Sequence, residues 1–200
     1  GIGEIVAVAG MDDVTVGVTY TDPLDPRPLP PMEIDPPTIS MNFIPNDSPF
    51  AGRDGTYVTS RHLEERLRRE TFSDVALVVE DLQDRVGFMV SGRGELHLSI
   101  LIERMRSEGY EFQVSKPEVI FKEIDGKKYE PIELAMIDVA DDFVGVVIEK
   151  LGIRKGEMTN MKQGGDGYTR LEFKVPSRGL IGFRNEFLTE TRGTGILNHI

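Results

Sequence analysis

From residue 38 onward the apolar positions switch between the period of a strand and the period of a helix. In TISMNFI, Ile39, Met41 and Phe43 alternate with Thr38, Ser40 and Asn42, which predicts a half-buried strand. A polar loop, PNDSPFAGRDG, leads to a helix over about 61–70. There Leu63 and Leu67 share a face, and Glu64→Arg68 and Glu65→Arg69 are i,i+4 pairs in the favourable direction. VALVVE (75–80) and RVGFMV (85–90) read as strands, the second alternating Val86, Phe88 and Val90. A helix over 95–107 has Leu96, Ile100, Leu101 and Met105 as its expected buried stripe and Gly109 beyond its end. EFQVS (111–115) is the next strand. The order is β-α-β-β-α-β.

The same order returns. IELAMIDV (132–139) is a strand, and Asp141 or Asp142 is placed to cap a helix carrying Phe143, Val147 and Leu151 on one face. EMTNMKQ (157–163), a Gly-Gly-Asp-Gly turn and YTRLEFKV (168–175) form a hairpin. Ser177 is placed to cap a helix with Leu180, Phe183, Phe187 and Leu188 at helical spacing, and GILNHI closes as a strand. The chain is therefore read as α+β, an internal repeat of the ferredoxin-like split β-α-β unit. Each copy has about 80 residues, so its core is modest and contact between the copies matters. Ahead of them, Ile5, Val6, Val8 and Val14, Val16, Val18 read as short strands with turns at Gly10 and Asp12-Asp13, too little to close a sheet alone. Seven prolines in DPLDPRPLPPMEIDPP (22–37) mark an extended linker.

Composition is that of a globular domain, with 39% hydrophobic and 28% charged residues over a chain of 200. No apolar run is long enough to cross a bilayer, and the first residues do not look like a signal peptide. Without cysteine there is neither disulfide nor thiolate metal site, which fits a cytoplasmic setting. The chain begins at Gly1 without Met and ends at Ile200 inside a strand-like run, so a portion of a longer protein is expected.

Charge changes the picture more. The net charge of -11 argues against a free nucleic-acid binder. Yet residues 1–50 hold eight acids against Arg27 alone, while residues 150–184 hold eight bases against Glu157, Asp166 and Glu172. Only this basic rear suits phosphate. Arg154, Lys155 and Lys162 lie around a turn, and Arg178 and Arg184 near a helix start. A helix N-terminus with arginine beside it is a natural phosphate seat. Tyr168 and Phe183 are candidate stacking rings, although Phe183 suits a core position.

Two glycine-rich stretches invite a nucleotide reading and fail it. GRGELH (92–97) lacks the third glycine of a dinucleotide fingerprint, and Glu95 puts a negative charge where phosphate would sit. A tight strand-to-helix turn accounts for it, with His97 packed or facing a partner. GRDGTYVTS (52–60) is not a phosphate loop, because G-x-x-x-x-G-K-[ST] occurs nowhere, nor does the guanine-reading pair of motifs. It reads as a surface turn or a loop touching a partner domain. His62, His97 and His199 have no ligand spacing, so no metal is expected. No serine sits in a nucleophile elbow, so no catalytic residue is assigned.

SGRGELHLSILIERMRSEGYEFQVSKPEVIFKE (91–123) resembles the third domain of translational GTPases of the elongation factor G type. NDSPFAGRDGTYVTSRHLEERL (46–67), KLGIRKGEMTNM (150–161) and VPSRGLIGFRNEFLTETRGTG (175–195) closely resemble the BipA branch, also called TypA. EIVAVAGMDDVTVGVTY (4–20) is similar to the last strands of that family's β-barrel second domain. The resemblance implies residues 1–35 as barrel end plus linker, 36–115 as domain III and 116–200 as domain V, both ferredoxin-like. It implies a bacterial, ribosome-associated GTPase linked to large-subunit assembly, low-temperature growth and stress, binding GTP, GDP or ppGpp in a GTPase domain outside this chain. No cofactor site or GTPase centre maps onto these residues. Its implied partners are the ribosome, chiefly the large subunit and its RNA, and the protein's own GTPase and C-terminal domains, with no membrane. By the resemblance, Glu95 and His97 belong to an interdomain relay, and Arg154, Lys155, Lys162, Arg178 and Arg184 are the candidate RNA contacts. Two other classes stay open: a protein–protein adaptor built on paired ferredoxin-like domains, which the acidic front favours, and a small-molecule sensor, which only fold analogy supports.

Overall fold

The computed structural model describes residues 2–11 and 14–200; Asp12 and Asp13, expected in a turn, lie outside the described residues. The first unit runs β1 (Ile39–Pro45), α1 (Ser60–Ser73), β2 (Val78–Asp81), β3 (Phe88–Gly92), α2 (Glu95–Ser107) and β4 (Phe112–Val114). Its sheet is ordered β2-β3-β1-β4, every pair antiparallel. A two-residue strand, β5 (Glu118–Val119), joins the same edge of β1 beyond β4, at Ile39 and Ser40. A small hairpin follows, β6 (Lys122–Ile124) and β7 (Lys127–Tyr129), which the alternation in the sequence does not announce.

The second unit runs β8 (Ile132–Ala140), α3 (Val144–Ile153), β9 (Glu157–Gln163), β10 (Tyr168–Pro176), a single helical turn α4 (Ser177–Leu180), α5 (Phe183–Glu190) and β11 (Ile196–His199). Its order is β11-β8-β10-β9, again antiparallel throughout. Numbered within each unit, both sheets run 2-3-1-4. Each unit has its own core. In the first, Ile39, Met41, Phe43 and Val90 from the sheet meet Leu63 and Leu67 of α1 and Leu98 and Met105 of α2. In the second, Ala135, Ile137, Val139, Leu171, Phe173 and Val175 meet Val147, Leu151, Phe183 and Phe187. Alternation along the strands places these residues on one face, which is why the period-2 pattern locates them.

Several expectations change. Residues 2–38 contain no strand among those described; only an isolated bridge, Asp22 to Asp25, forms. Val14, Val16 and Val18 stand exposed, and the chain turns at Val16-Gly17 where a strand is expected. In α2 the buried residues are Leu98, Leu101, Ile102 and Met105, while Leu96 and Ile100 are 44% and 50% exposed. Both stripes obey helical spacing, and the close approach of Leu98 to Gly92 sets the rotation. A β-carbon on Gly92 would lie 2.9 Å from Leu98 Cδ2 and 2.8 Å from His97 Nδ1. Glu65 pairs with Arg61 at 2.8 Å, where a pair with Arg69 is expected. Neither Asp141 nor Asp142 caps α3; Asp141 instead accepts from the Thr169 hydroxyl at 2.6 Å. The helix expected from Ser177 is broken, because Gly182 takes a left-handed φ of 72° between α4 and α5, and Ser177 Oγ has no hydrogen-bond partner among the described residues.

Candidate functional site

The turn at GRGELH is held by the protein's own side chains. Gly92 makes room for His97 and Leu98. The His97 ring accepts from the Arg93 N–H at 3.1 Å and pairs with Asp74 at 2.5 Å, so it ties α2 to the end of α1. Gly94 is the N-cap of α2 and offers no side chain. Glu95 supplies the negative charge of the first turn, and its Oε2 accepts from the Gly182 N–H at 2.7 Å. One carboxylate thus faces the N-termini of both α2 and α5, where partial positive charge collects. A cavity of about 300 Å³ lies beside this contact, lined by Glu95, Leu96, Glu133, Leu180, Arg184 and His199 among others. His199 Nδ1 is bonded to the buried Glu133 carboxylate.

The GRDG loop is likewise an anion cradle already filled. Glu111 accepts from the backbone N–H groups of Gly52, Asp54 and Gly55 and from Asn46 Nδ2. Burial works against the charge, but these donors hold the Glu111 carboxyl below the usual carboxylate range. At the loop's outer side, the Arg53 guanidinium lies 4.6 Å from the centre of the exposed Phe50 ring.

The structure does not bring the five basic candidates together as one patch. Arg154 is half-buried and engaged: it donates to the carbonyls of Gly179 and Ile181 at 2.8 and 3.0 Å and to Glu186 at 2.9 Å, with its guanidinium over Phe183. Arg178 pairs with Glu130 at 2.6 Å. Lys155 follows α3 with a positive φ of 67° and is exposed. Arg184 is exposed on α5 at the rim of the cavity. Lys162 sits beside Arg170 near the hairpin end of β10, away from Pro176 and the 177–182 turn. Phe183, 1% exposed, is closed to any base, while Tyr168 is 44% exposed.

Of the eight bases in residues 150–184, four are ion-paired: Lys150 with Glu186 and Glu190, Arg154 with Glu186, Arg170 with Asp138 and Arg178 with Glu130. Lys150 and Arg154 hold the Glu186 carboxyl below its ordinary range, and Arg170 does the same for Asp138. Lys155, Lys162, Lys174 and Arg184 are exposed and carry no ion pair among the described residues. Lys174 is one of the eight bases read from the sequence but not one of the five candidate contacts; its alternation with the core residues of β10 turns it outward, across from Glu157. Among the described residues, no group of three His, Asp or Glu side chains is placed to hold a metal, and no helix is long and apolar enough to cross a membrane.

The family described as elongation factor G C-terminus matches residues 127–200. Among curated proteins, the chain is 58% identical over 98% of its length to the large ribosomal subunit assembly factor BipA of Bacillus subtilis (strain 168), of which it covers 32%. It is 51% identical, again over 98% of its length, to the protein of the same name from Escherichia coli (strain K12), covering 32% of it. A crystal structure from Thermus thermophilus shares the fold with a TM-score of 0.51 at 16% identity, covering 84% of this chain and 40% of that one. The chain spans about a third of the curated relatives it matches. The chain is thus similar to BipA over nearly its whole length, and its residues 127–200 match the elongation factor G C-terminus.

Proposed function

We propose that this chain is the ribosome-facing portion of a bacterial translational GTPase of the BipA kind, acting in large-subunit assembly and in growth under stress or low temperature. The observation that carries the reading is the 58% identity across 98% of the chain to a protein named for large ribosomal subunit assembly. The antiparallel 2-3-1-4 order of both sheets supports two ferredoxin-like domains, III (36–115) and V (116–200), with Glu118 and Val119 of the latter span adding a short edge to the first sheet. The exposed alternating valines of residues 14–18 support the end of a β-barrel that needs neighbouring strands. GTP, GDP or ppGpp binding and GTP hydrolysis fall to a domain outside the matched third, in the cytoplasm. The RNA contact falls to the unpaired cations of the second unit, Lys155, Lys162, Lys174 and Arg184, and Arg178 can join them by leaving Glu130. Arg154, read from the sequence as a contact, is spent on its own unit.

Co-sedimentation of the chain with large ribosomal subunits over a salt series tests this. Phosphate contacts give a log–log slope of about -0.7 to -0.9 per contact. Binding with no salt dependence sinks the RNA reading and favours the adaptor, in which an apolar face meets a partner protein.

A further inference from the structure

The loop 177–182 does more than connect β10 to α5. Its Ile181 side chain leaves the second unit and packs against the core of the first. Its Gly182 N–H receives Glu95 from the start of α2. The Ser177 N–H, at its beginning, donates to the Pro131 carbonyl at 3.0 Å, and α4 touches β5 of the first sheet. From behind, one side chain holds the loop's shape: Arg154 bonds the carbonyls of Gly179 and Ile181, and its other edge is fixed by Glu186. The fit has no slack, since a β-carbon on Gly179 would overlap the Arg154 carbonyl oxygen. A planar guanidinium presents several fixed donors at once, which an ammonium does not.

We propose that residues 177–182 are a latch that sets the angle between the two units, with Glu95 as its catch and Arg154 as the positioning residue that keeps it formed. Each unit has its own core, so the latch is the smaller interaction and controls orientation without being needed for either fold. The inference holds whether or not the second unit meets RNA. It gives the basic residue at 154 a role in domain geometry and gives Glu95 a partner on the other unit.

The chain has no cysteine, so two can be added for spin labels, at Glu103→Cys on α2 and Asn160→Cys on β9, both exposed. Pulsed dipolar distances are then compared for the labelled parent, Glu95→Gln, Arg154→Lys and the control Arg170→Gln, whose pair with Asp138 joins two strands of the second sheet and lies outside the latch. The expected result is one distance in the parent and the control. A second population appears in Glu95→Gln and Arg154→Lys, raised about tenfold, as the loss of one charge-assisted hydrogen bond converts. Far-UV circular dichroism checks that the units stay folded. If Arg154→Lys loosens the second unit itself, Glu95→Gln, which lies on the other unit, decides. A parent-like distance in Glu95→Gln, or the same second population in Arg170→Gln, overturns the latch.

Discussion

Replacing Arg66 by methionine removes one charge from the junction of α1 and α2 while keeping most of the volume. Arg66 is 4% exposed. Its guanidinium donates to Glu70 at 2.6 Å and to both oxygens of Glu108 at 2.5 and 2.9 Å. Arg104 completes the network with a 2.7 Å bond to the other oxygen of Glu70. Removing one partner of a buried ion pair costs about 3–5 kcal/mol, because the remaining charge stays away from water. Here Glu70 keeps Arg104, and the Glu108 side chain, 36% exposed, rehydrates, so the low end applies, about 3 kcal/mol. For a unit of this size each kcal/mol moves the midpoint by roughly 4–8 °C, so the first unit should melt roughly 12–24 °C lower by calorimetry. Removing both buried charges, as Arg66→Met with Glu70→Leu, should regain most of the loss. A cost below about 1 kcal/mol for the single change, the scale of an exposed pair, or a double variant less stable than the single one, would refute this reasoning. The same network has a pH signature. Arg66 holds the Glu108 carboxyl below its ordinary range. A depressed carboxyl contributes stability above the unfolded value, about 4.3 for glutamate, and loses it as the pH falls through the folded value. The acid limb of the stability curve should therefore flatten in Arg66→Met.

Two further tests are cheaper. Gly195→Ala drives a β-carbon into the Phe187 ring, 2.9 Å from Cε1, and should cost about 1–3 kcal/mol in a thermal melt, whereas Gly94→Ala meets only His199 Cε1 at 3.5 Å and should be much milder. Equal cost would refute the packing account of these glycines. Glu111→Gln should weaken the cradle of Gly52, Asp54 and Gly55, and limited proteolysis should then cut between residues 46 and 57 faster than in the parent; an unchanged rate would mean that the loop holds itself.

The sequence shows the two units because burial on one face of each sheet forces period-2 alternation, as in Leu171, Phe173 and Val175. α2 was legible to both ends because Gly92, Gly94 and Gly109 punctuate it. Its rotation was not: Leu96-Ile100 and Leu98-Ile102 are both i,i+4 pairs, and only contact with β3 chooses between them. The break at Gly182 depends on a left-handed residue and on Arg154 reaching two carbonyls, neither of which a local pattern records. The basic rear was visible as composition. Which cations stay free was not, because Asp138 and Glu130 reach Arg170 and Arg178 from more than thirty residues away.

The most direct test compares salt dependences of binding to large ribosomal subunits. One variant reverses the unpaired set, Lys155, Lys162, Lys174 and Arg184, to glutamate; another neutralises the engaged Arg170 with its partner Asp138. The predicted result is a slope shallower by about 0.7–0.9 for each phosphate that the first variant no longer reaches, and a parental slope in the second. Parental slopes in both would contradict the placement of the ribosome contact on the second unit.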